Sequence, residues 1–295
     1  MDRDRLKGVV APVVTPFEHD QIRFDWLEHN LGRLAETQLA GYLALGTNGE
    51  FKSLAEDEKL RIVEVFVKLK ADKVLMVGTG CESTRQTIEL TNRVAGLGAD
   101  FASIITPHYF ASRMDDKTLI GYYREIADHS EIPVLLYNIP KLAGKVTIST
   151  HAAEVLSSHP NIWGMKDSGG VSLFAFLAAL SDREFSLLAG SANYYLPGLL
   201  LGARGGIISL ANCFPEVCCR LHAEATSGSL DTARALHARI LQANRAVSGK
   251  YGVAGVKAAM GLAGYHGGDP RRPLAPLVDQ ERHSMRSTLQ QLGFV

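Results

Sequence analysis

Short apolar runs alternate along the chain with longer stretches in which apolar residues recur at helical spacing. The apolar runs cover residues 8–14, 41–45, 74–78, 101–105, 133–137, 161–165, 185–189 and 206–210. Each is apolar nearly throughout rather than alternately apolar and polar, which is the pattern of parallel strands covered on both faces. The intervening stretches 24–35, 55–69, 83–96 and 116–129 carry helical periodicity. Further helical segments follow Ser149, Val171 and Asn193. Ser83 or Thr84 is a fitting N-cap for the third helix, and Ser53-Leu54-Ala55-Glu56 has the form of a capping box for the second.

Eight strands, each followed by a helix, predict a (β/α)8 barrel. An open doubly wound sheet alternates in the same way. Its first strand more often runs into a Gly-x-Gly-x-x-Gly turn, whereas here Val14-Thr15-Pro16-Phe17 follows. From Pro215 the strand pattern stops. The rest reads as helices broken at Gly264-Tyr265-His266-Gly267-Gly268-Asp269-Pro270. The expected organisation is a barrel over residues 1–214 that carries the active site, and a C-terminal helical appendage over residues 215–295.

Composition narrows the class. With 31 Lys+Arg against 31 Asp+Glu, no global field steers the protein to nucleic acid or to an anionic membrane. No apolar run is long enough to span a bilayer. The N-terminal residues enter the first strand without an apolar signal region or a long Arg/Ser-rich presequence, so a cytoplasmic address is expected. Cys81, Cys213, Cys218 and Cys219 lack the spacing of a zinc site and read as reduced thiols.

Chemistry in such a barrel gathers at the C-terminal strand ends. There the chain places Thr15-Pro16-Phe17, Gly46-Thr47-Asn48-Gly49-Glu50, Thr106-Pro107-His108-Tyr109-Phe110, Tyr137-Asn138-Ile139-Pro140, Lys166-Asp167-Ser168 and Gly190-Ser191. No cluster of His and carboxylate has metal spacing; the set suits carbonyl chemistry through an amine with phenols moving protons, which requires no metal or organic cofactor. Lys166 puts an ammonium at the end of a buried strand, which is costly unless the group is paired or gives up its proton. It is either one half of a buried ion pair, with Asp167 or another carboxylate, or an amine kept to attack a carbonyl and form an imine. Tyr137, one strand earlier, can face it across the barrel mouth and move protons, or it can pack its ring and bond locally. Gly46-Thr47-Asn48-Gly49 is either an ordinary tight turn or a cradle of N–H, hydroxyl and amide donors for a carboxylate. His108 and Glu50 read as locally bonded loop residues, and Asp167 as a structural anion on the opposite strand face.

In this order and spacing, Gly46-Thr47-Asn48-Gly49-Glu50, Thr106-Pro107-His108-Tyr109, Leu136-Tyr137-Asn138-Ile139-Pro140 and Gly164-Met165-Lys166-Asp167 resemble the dihydrodipicolinate synthase / N-acetylneuraminate lyase family across nearly the whole chain. The resemblance implies a Schiff-base, class I aldolase or lyase that handles pyruvate or a similar 2-oxo acid together with an aldehyde. It implies Lys166 as the imine-forming lysine and Tyr137 as the proton shuttle. Thr47 would link that tyrosine to a second one and help hold the carboxylate. Asn48, where many members have Thr, would act mainly through its backbone. Tyr109 would reach into a neighbouring subunit's site, so a homotetramer built from two tight dimers is implied. Ile207 would lie near the lysine.

Dihydrodipicolinate synthases usually carry an arginine shortly after the Tyr-Asn-x-Pro motif, for the aldehyde's carboxylate, and Leu142 stands there in this chain. Three longer stretches resemble instead the 4-hydroxy-2-oxoglutarate aldolase branch. They are Gly80-Cys81-Glu82-Ser83-Thr84, the run from His159 to Gly170, and Leu188-Ala189-Gly190-Ser191. The tail Gly252-Val253-Ala254-Gly255-Val256-Lys257 with Gly264-Tyr265-His266-Gly267-Gly268 fits that branch too. The expected reaction is cleavage of 4-hydroxy-2-oxoglutarate to pyruvate and glyoxylate. The alternatives are dihydrodipicolinate synthase, N-acetylneuraminate lyase or another sugar-acid aldolase or dehydratase, and a non-catalytic 2-oxo-acid binder.

Overall fold

The structure, a computed structural model, describes residues 3–295. Eight parallel strands close into a barrel: β1 (Gly8–Pro12), β2 (Gly41–Ala44), β3 (Val74–Gly78), β4 (Phe101–Ile105), β5 (Val134–Asn138), β6 (Ile162–Asp167), β7 (Ser186–Ala189) and β8 (Gly205–Ile207). Each pairs with its neighbours in sequence, and β1 pairs with both β2 and β8 to close the ring. Around it run α1 (Phe24–Ala35), α2 (Glu56–Leu69), α3 (Thr84–Leu97), α4 (Asp116–His129), α5 (Thr150–Leu156), α6 (Ser172–Ala179), α7 (Tyr195–Leu200) and α8 (Pro215–Ser227). α9 (Leu230–Asn244), α10 (Lys250–Leu262) and α11 (Asp279–Gln291) follow. α8 packs on α7 and against β1, so it is the helix of the eighth β/α unit. No helix among the described residues is long and apolar enough to cross a membrane.

The continuous apolar character of the strands has two destinations. Side chains on one face fill the inside of the barrel: Leu6, Val10, Leu43, Val74, Met76, Phe101, Leu135, Leu188 and Ile207 form one cluster. Those on the other face, such as Ala11, Tyr42, Val77, Leu136 and Met165, join the shell of helices in a second cluster. Both faces are therefore dry, as continuous apolar runs require.

Several boundaries differ from those read in the sequence. β1 stops at Pro12 rather than at residue 14. The side chain of Asn212 takes over there, accepting from Val14 N at 3.2 Å and donating to Pro12 O at 2.9 Å. The eighth strand ends at Ile207, and a 3-10 turn over Ser209–Asn212 replaces its expected last residues. The capping box of α2 is not centred on Ser53, which lies in the preceding 3-10 turn Phe51–Ser53. The return contact comes from Glu58, whose carboxylate accepts from Ala55 N at 2.8 Å. Ser83 does cap α3, accepting from Gln86 N at 3.1 Å. A two-stranded hairpin, Phe17–Glu18 with Gln21–Ile22, turns through His19 and Asp20, both in the left-handed region. Neither turn residue is glycine, so the usual composition signal for a hairpin is missing.

One irregularity governs the site. Val134 pairs with Ile162, but Leu135 pairs with Gly164, so Trp163 is bulged out. Every residue of β6 beyond it is shifted by one, and a shift of one exchanges the two faces of a strand. As a result Tyr137 pairs with Lys166, and both stand on the inward face shared by Leu135.

Gly164 lies beside the bulge with no room for a side chain. A Cβ there would sit 2.3 Å from Ser186 O. Gly164→Ala is expected to cost about 1–3 kcal/mol through overpacking against the β7 backbone, read as a lower urea midpoint. An unchanged midpoint would show that β6 and β7 can separate freely at this point.

Candidate active site

Lys166 is 4% exposed, at the C-terminal end of β6 and inside the barrel mouth. Its register neighbours are Tyr137 on β5 and Leu188 on β7. Tyr137 is therefore beside it on the adjacent strand, not across the mouth as the sequence suggested. The ammonium lies 4.2 Å from the Tyr137 ring centroid. Among the described residues no carboxylate forms an ion pair with Lys166, so the structural ion-pair reading, with Asp167 in particular, does not hold. Asp167 is one residue further along, and alternation of the strand points it outward. There it accepts from Asn138 Nδ2 at 2.7 Å and from Ser172 Oγ at 2.8 Å. Burial raises its carboxyl above the ordinary 3.8, against the pull of these two donors.

The turn after β2 brings in the next residues. Thr47 Oγ1 and the Tyr137 hydroxyl are 3.2 Å apart. The turn is braced by Thr15, whose hydroxyl donates to Gly49 O at 2.8 Å. Asn48 is buried, and its amide nitrogen finds no acceptor among the described residues. A buried donor left unmatched is costly unless a ligand meets it. Both Thr47 and Asn48 line a cavity of about 320 Å³ together with Lys166 and Tyr137. Its walls hold hydroxyls and amides: Ser168, Ser191, Asn193, Ser209, Asn244 and Ser248. Asn244 donates to Asn193 at 2.9 Å, and Ser248 donates to Asn244 at 2.8 Å. The set offers an amine, a phenol and many neutral hydrogen-bonding groups. Such a site suits a small oxygenated molecule with a carbonyl at its centre.

The other expected residues lie elsewhere. Ile207 packs in the barrel interior and does not line the cavity; Ser209, two residues on, does. Tyr109 is 79% exposed, edge-on to Phe110 at 5.0 Å between ring centroids. Its loop is shaped by Glu82, whose carboxylate accepts from the backbone N–H of both His108 and Tyr109 at 2.9 Å. Behind Tyr137 and Thr47 is a second, mostly apolar cavity of about 230 Å³, lined in part by Leu45, Phe51, Ile105, Leu142 and Leu274. Leu142 is 53% exposed at its rim.

Ser168 and Ser191 sit at strand ends and were visible in the sequence as hydroxyls beside glycines, without an assigned use. Tyr194 also escaped notice; its hydroxyl donates to Asp167 O at 3.0 Å and so supports the strand end that carries the lysine. Asn244 and Ser248 come from beyond the barrel, and no local pattern connects them to it. Among the described residues no group of three His, Cys, Asp or Glu side chains stands together as a metal site.

A closed parallel barrel with a buried, unpaired lysine beside a phenol at its C-terminal mouth is the frame of a class I carbon–carbon lyase. Residues 5–292 match the model of the Dihydrodipicolinate synthetase family, and the chain belongs to that family. It is 32% identical to a 4-hydroxy-tetrahydrodipicolinate synthase of Methanothrix thermoacetophila over 98% of this chain and 97% of that one. It is 33% identical to an uncharacterized DapA-like lyase of Halobacterium salinarum, over 98% and 95%. Among solved structures, the chloride-inhibited dihydrodipicolinate synthase of Acinetobacter baumannii in complex with pyruvate superimposes with a TM-score of 0.91 at 30% identity, covering 98% of this chain and 100% of that one. The protein is an enzyme of this class, a pyruvate-dependent lyase.

Asn138 joins the site to its support. Besides donating to Asp167, it accepts from Ile148 N at 3.0 Å. Asn138→Ala is expected to destabilise the fold by about 3 kcal/mol, since it strips a donor from a buried carboxylate and orphans a backbone N–H. Because the Asp167 carboxyl in the fold lies above 3.8, the folded state holds its proton longer than the unfolded chain. The stability this group contributes therefore falls as pH rises through that window. The deficit of the variant should be smallest in acid and grow toward neutral pH in urea titrations; a deficit independent of pH would detach Asn138 from Asp167.

Proposed function

We propose that the protein joins or cleaves a carbon–carbon bond between pyruvate and an aldehyde through an imine on Lys166. One observation carries the reading: Lys166 is buried beside Tyr137 with no carboxylate among the described residues paired to it, in a cavity lined mainly by hydroxyls and amides, with Lys141 as the other cation on its wall. A lysine nitrogen so placed, not held by a carboxylate, can reach and attack a carbonyl carbon bound in the cavity. Its Nζ adds to the C2 carbonyl, and the carbinolamine loses water as Tyr137 supplies the proton. The iminium then draws the electron pair of the C3–C4 bond while Tyr137 takes the proton of the C4 hydroxyl. The aldehyde departs and leaves the enamine of pyruvate, which is protonated at C3 and hydrolysed. Run in reverse, the same steps add the enamine to an aldehyde. Thr47 holds the Tyr137 hydroxyl in place, and Asn48 with the loop N–H groups receives the carboxylate.

For the aldehyde, the names of the relatives favour the 4-hydroxy-tetrahydrodipicolinate synthase reading over cleavage of 4-hydroxy-2-oxoglutarate. Leu142 counts against the synthase, because it puts an apolar side chain where the family's synthases usually keep an arginine for the aldehyde's carboxylate. It does not select the aldolase, whose glyoxylate also carries a carboxylate, and it suits the N-acetylneuraminate lyase pattern equally. A guanidinium paired with a carboxylate is worth about 1.5–3 kcal/mol. Its loss should weaken synthase activity on aspartate semialdehyde.

The exposed aromatic pair and the apolar cavity support a functional dimer. Tyr109 of a second copy is the occupant that fits beside Thr47 and Tyr137, and a pair of such dimers is the assembly we expect. The four free thiols suit a reducing, cytoplasmic setting.

Borohydride reduction in the presence of pyruvate should give a pyruvyl adduct on the wild type and none on folded Lys166→Ala. An adduct on that variant would end the lysine mechanism. Tyr137→Phe should lower kcat by about 10²–10⁴-fold, the usual span for a lost proton-transfer group. Wild-type turnover of pyruvate with aspartate semialdehyde, compared with cleavage of 4-hydroxy-2-oxoglutarate and of N-acetylneuraminate, then assigns the aldehyde. Tyr109→Ala should impair catalysis while its fold persists, and a Tyr109→Ala/Tyr137→Phe mixture that recovers activity by subunit exchange would show action across subunits. Unaltered activity in Tyr109→Ala would remove this residue from the site.

A further inference from the structure

One wall of the catalytic cavity is supplied by α10 and not by the barrel. Gly249 precedes this helix, Gly252 (φ 57°, ψ −138°) breaks it near its start, and Val253 follows the break; all three line the cavity. One turn further on, Lys257 lies on the same face of the helix as Val253. Its Nζ is 2.5 Å from Glu50 Oε1 and donates to Asp269 O at 2.9 Å. The two side chains are 1% and 2% exposed. Glu50 Oε2 accepts from Arg271 N at 2.8 Å. The Phe17 ring packs against both cations, with Lys257 Nζ and the Arg271 guanidinium each 4.5 Å from its centroid.

Glu50 closes the turn that presents Thr47 and Asn48, with its N–H donating to Thr47 O at 3.1 Å. It sits at φ 55°, ψ 39°, a left-handed conformation that a side-chain-bearing residue keeps only when its contacts impose it. A buried ion pair is a weak source of stability, because the loss of hydration offsets the attraction; its attested use is to fix one element against another. The two elements fixed here both line the same cavity.

We propose that Lys257 and Glu50 are positioning residues, which lock the turn of Thr47 and Asn48 against α10 and thereby hold the cavity at the width that binds the 2-oxo acid. The inference rests on the pyruvate-imine reading.

The charged groups facing Lys257 are Glu50 and Asp269, which favour its ammonium, and Arg271, which opposes it. Glu58 and Asp20 stand behind Arg271. Burial dominates and brings the Lys257 ammonium down to about 8. The lock thus loses its cation as pH rises through that value. Global stability moves the other way. The unfolded chain keeps this proton up to about 10.5, so the stability contributed by Lys257 rises between the two values. A weakening of pyruvate binding without a fall in melting temperature therefore separates the lock from unfolding. Imine formation has a pH dependence of its own, because expelling water from the carbinolamine takes a proton; the dependence that belongs to the lock is what wild type shows beyond Lys257→Arg.

The test is the pyruvate concentration that half-saturates borohydride trapping on the full-length enzyme, measured from below to above pH 8, with the melting temperature at each pH. Wild type is expected to need more pyruvate above pH 8. Lys257→Met should need about tenfold more or beyond, within the hundredfold that a displacement of ~1 Å can cost, with little dependence on pH. Lys257→Arg, whose guanidinium does not deprotonate, should keep the low requirement and lose the pH dependence. Should Lys257→Met not fold, the difference in pH dependence between wild type and Lys257→Arg decides, and equal dependence in the two overturns the inference. A wild-type requirement that stays flat across pH 8, or a folded Lys257→Met that matches wild type, overturns the inference while the imine reading stands. Wild type that traps no pyruvate at any pH overturns both.

Discussion

The structure turns on the pairing of β5 with β6. Two strands of a parallel barrel share a face only if their register agrees, and a slip of one residue sends every later side chain to the opposite side. The bulge at Trp163 makes that slip deliberately. It brings Lys166 level with Tyr137 on the inner face and leaves Asp167 on the outer face with Asn138 and Ser172. Were Lys166 turned outward, its ammonium would meet the helix shell, and the carboxylate of Asp167 would occupy the mouth. The amine-and-phenol pair exists because one residue is excluded from the ladder.

Around that pairing the protein separates its charges by use. Carboxylates near the mouth are bonded elsewhere: Asp167 to Asn138, Glu82 to the loop N–H groups of His108 and Tyr109, and Glu50 to Lys257 and Arg271. Each has a structural task, and none neutralises Lys166. The cavity itself is lined mainly by hydroxyls and amides, with Lys141 and Lys166 as the cations on its wall. Supports of this sort, strung from the barrel to α10 and to the segment around Arg271, let the first contacts with substrate stay in place when the site is occupied.

The C-terminal helices are part of the site and not an ornament on it. Asn244, Ser248 and the start of α10 complete the cavity wall. The segment beyond α10 is stitched back to the barrel by Asn30, which bonds both the N–H and the carbonyl of His266 at 2.8 Å, and by the paired contacts of Arg271 with Glu58 at 2.7 Å. The turn after β2 is consequently held from two sides, by Thr15 from the segment after β1 and by Lys257 from α10.

Much of this was legible in the chain. Eight continuous apolar runs could belong only to strands buried on both faces, and helical periodicity between them called for a parallel barrel. Lys166, Tyr137, Thr47 and Asn48, which the fold brings to one cavity, could be read as candidates because strand ends are local features and these residue types are expensive or unusual there. What the sequence could not express was anything that depends on a partner far along the chain. It did not announce the bulge at Trp163, because a bulge has no composition of its own and appears only when a neighbouring strand sets the register. It gave no hint that Glu50 would find its cation 207 residues later, at Lys257, or that Asn244 and Ser248 would close a pocket begun by Thr47. Local patterning determined the elements and the chemistry they carry. Packing between distant segments decided which side chains meet, because burial, register and ion pairing are properties of neighbours in space.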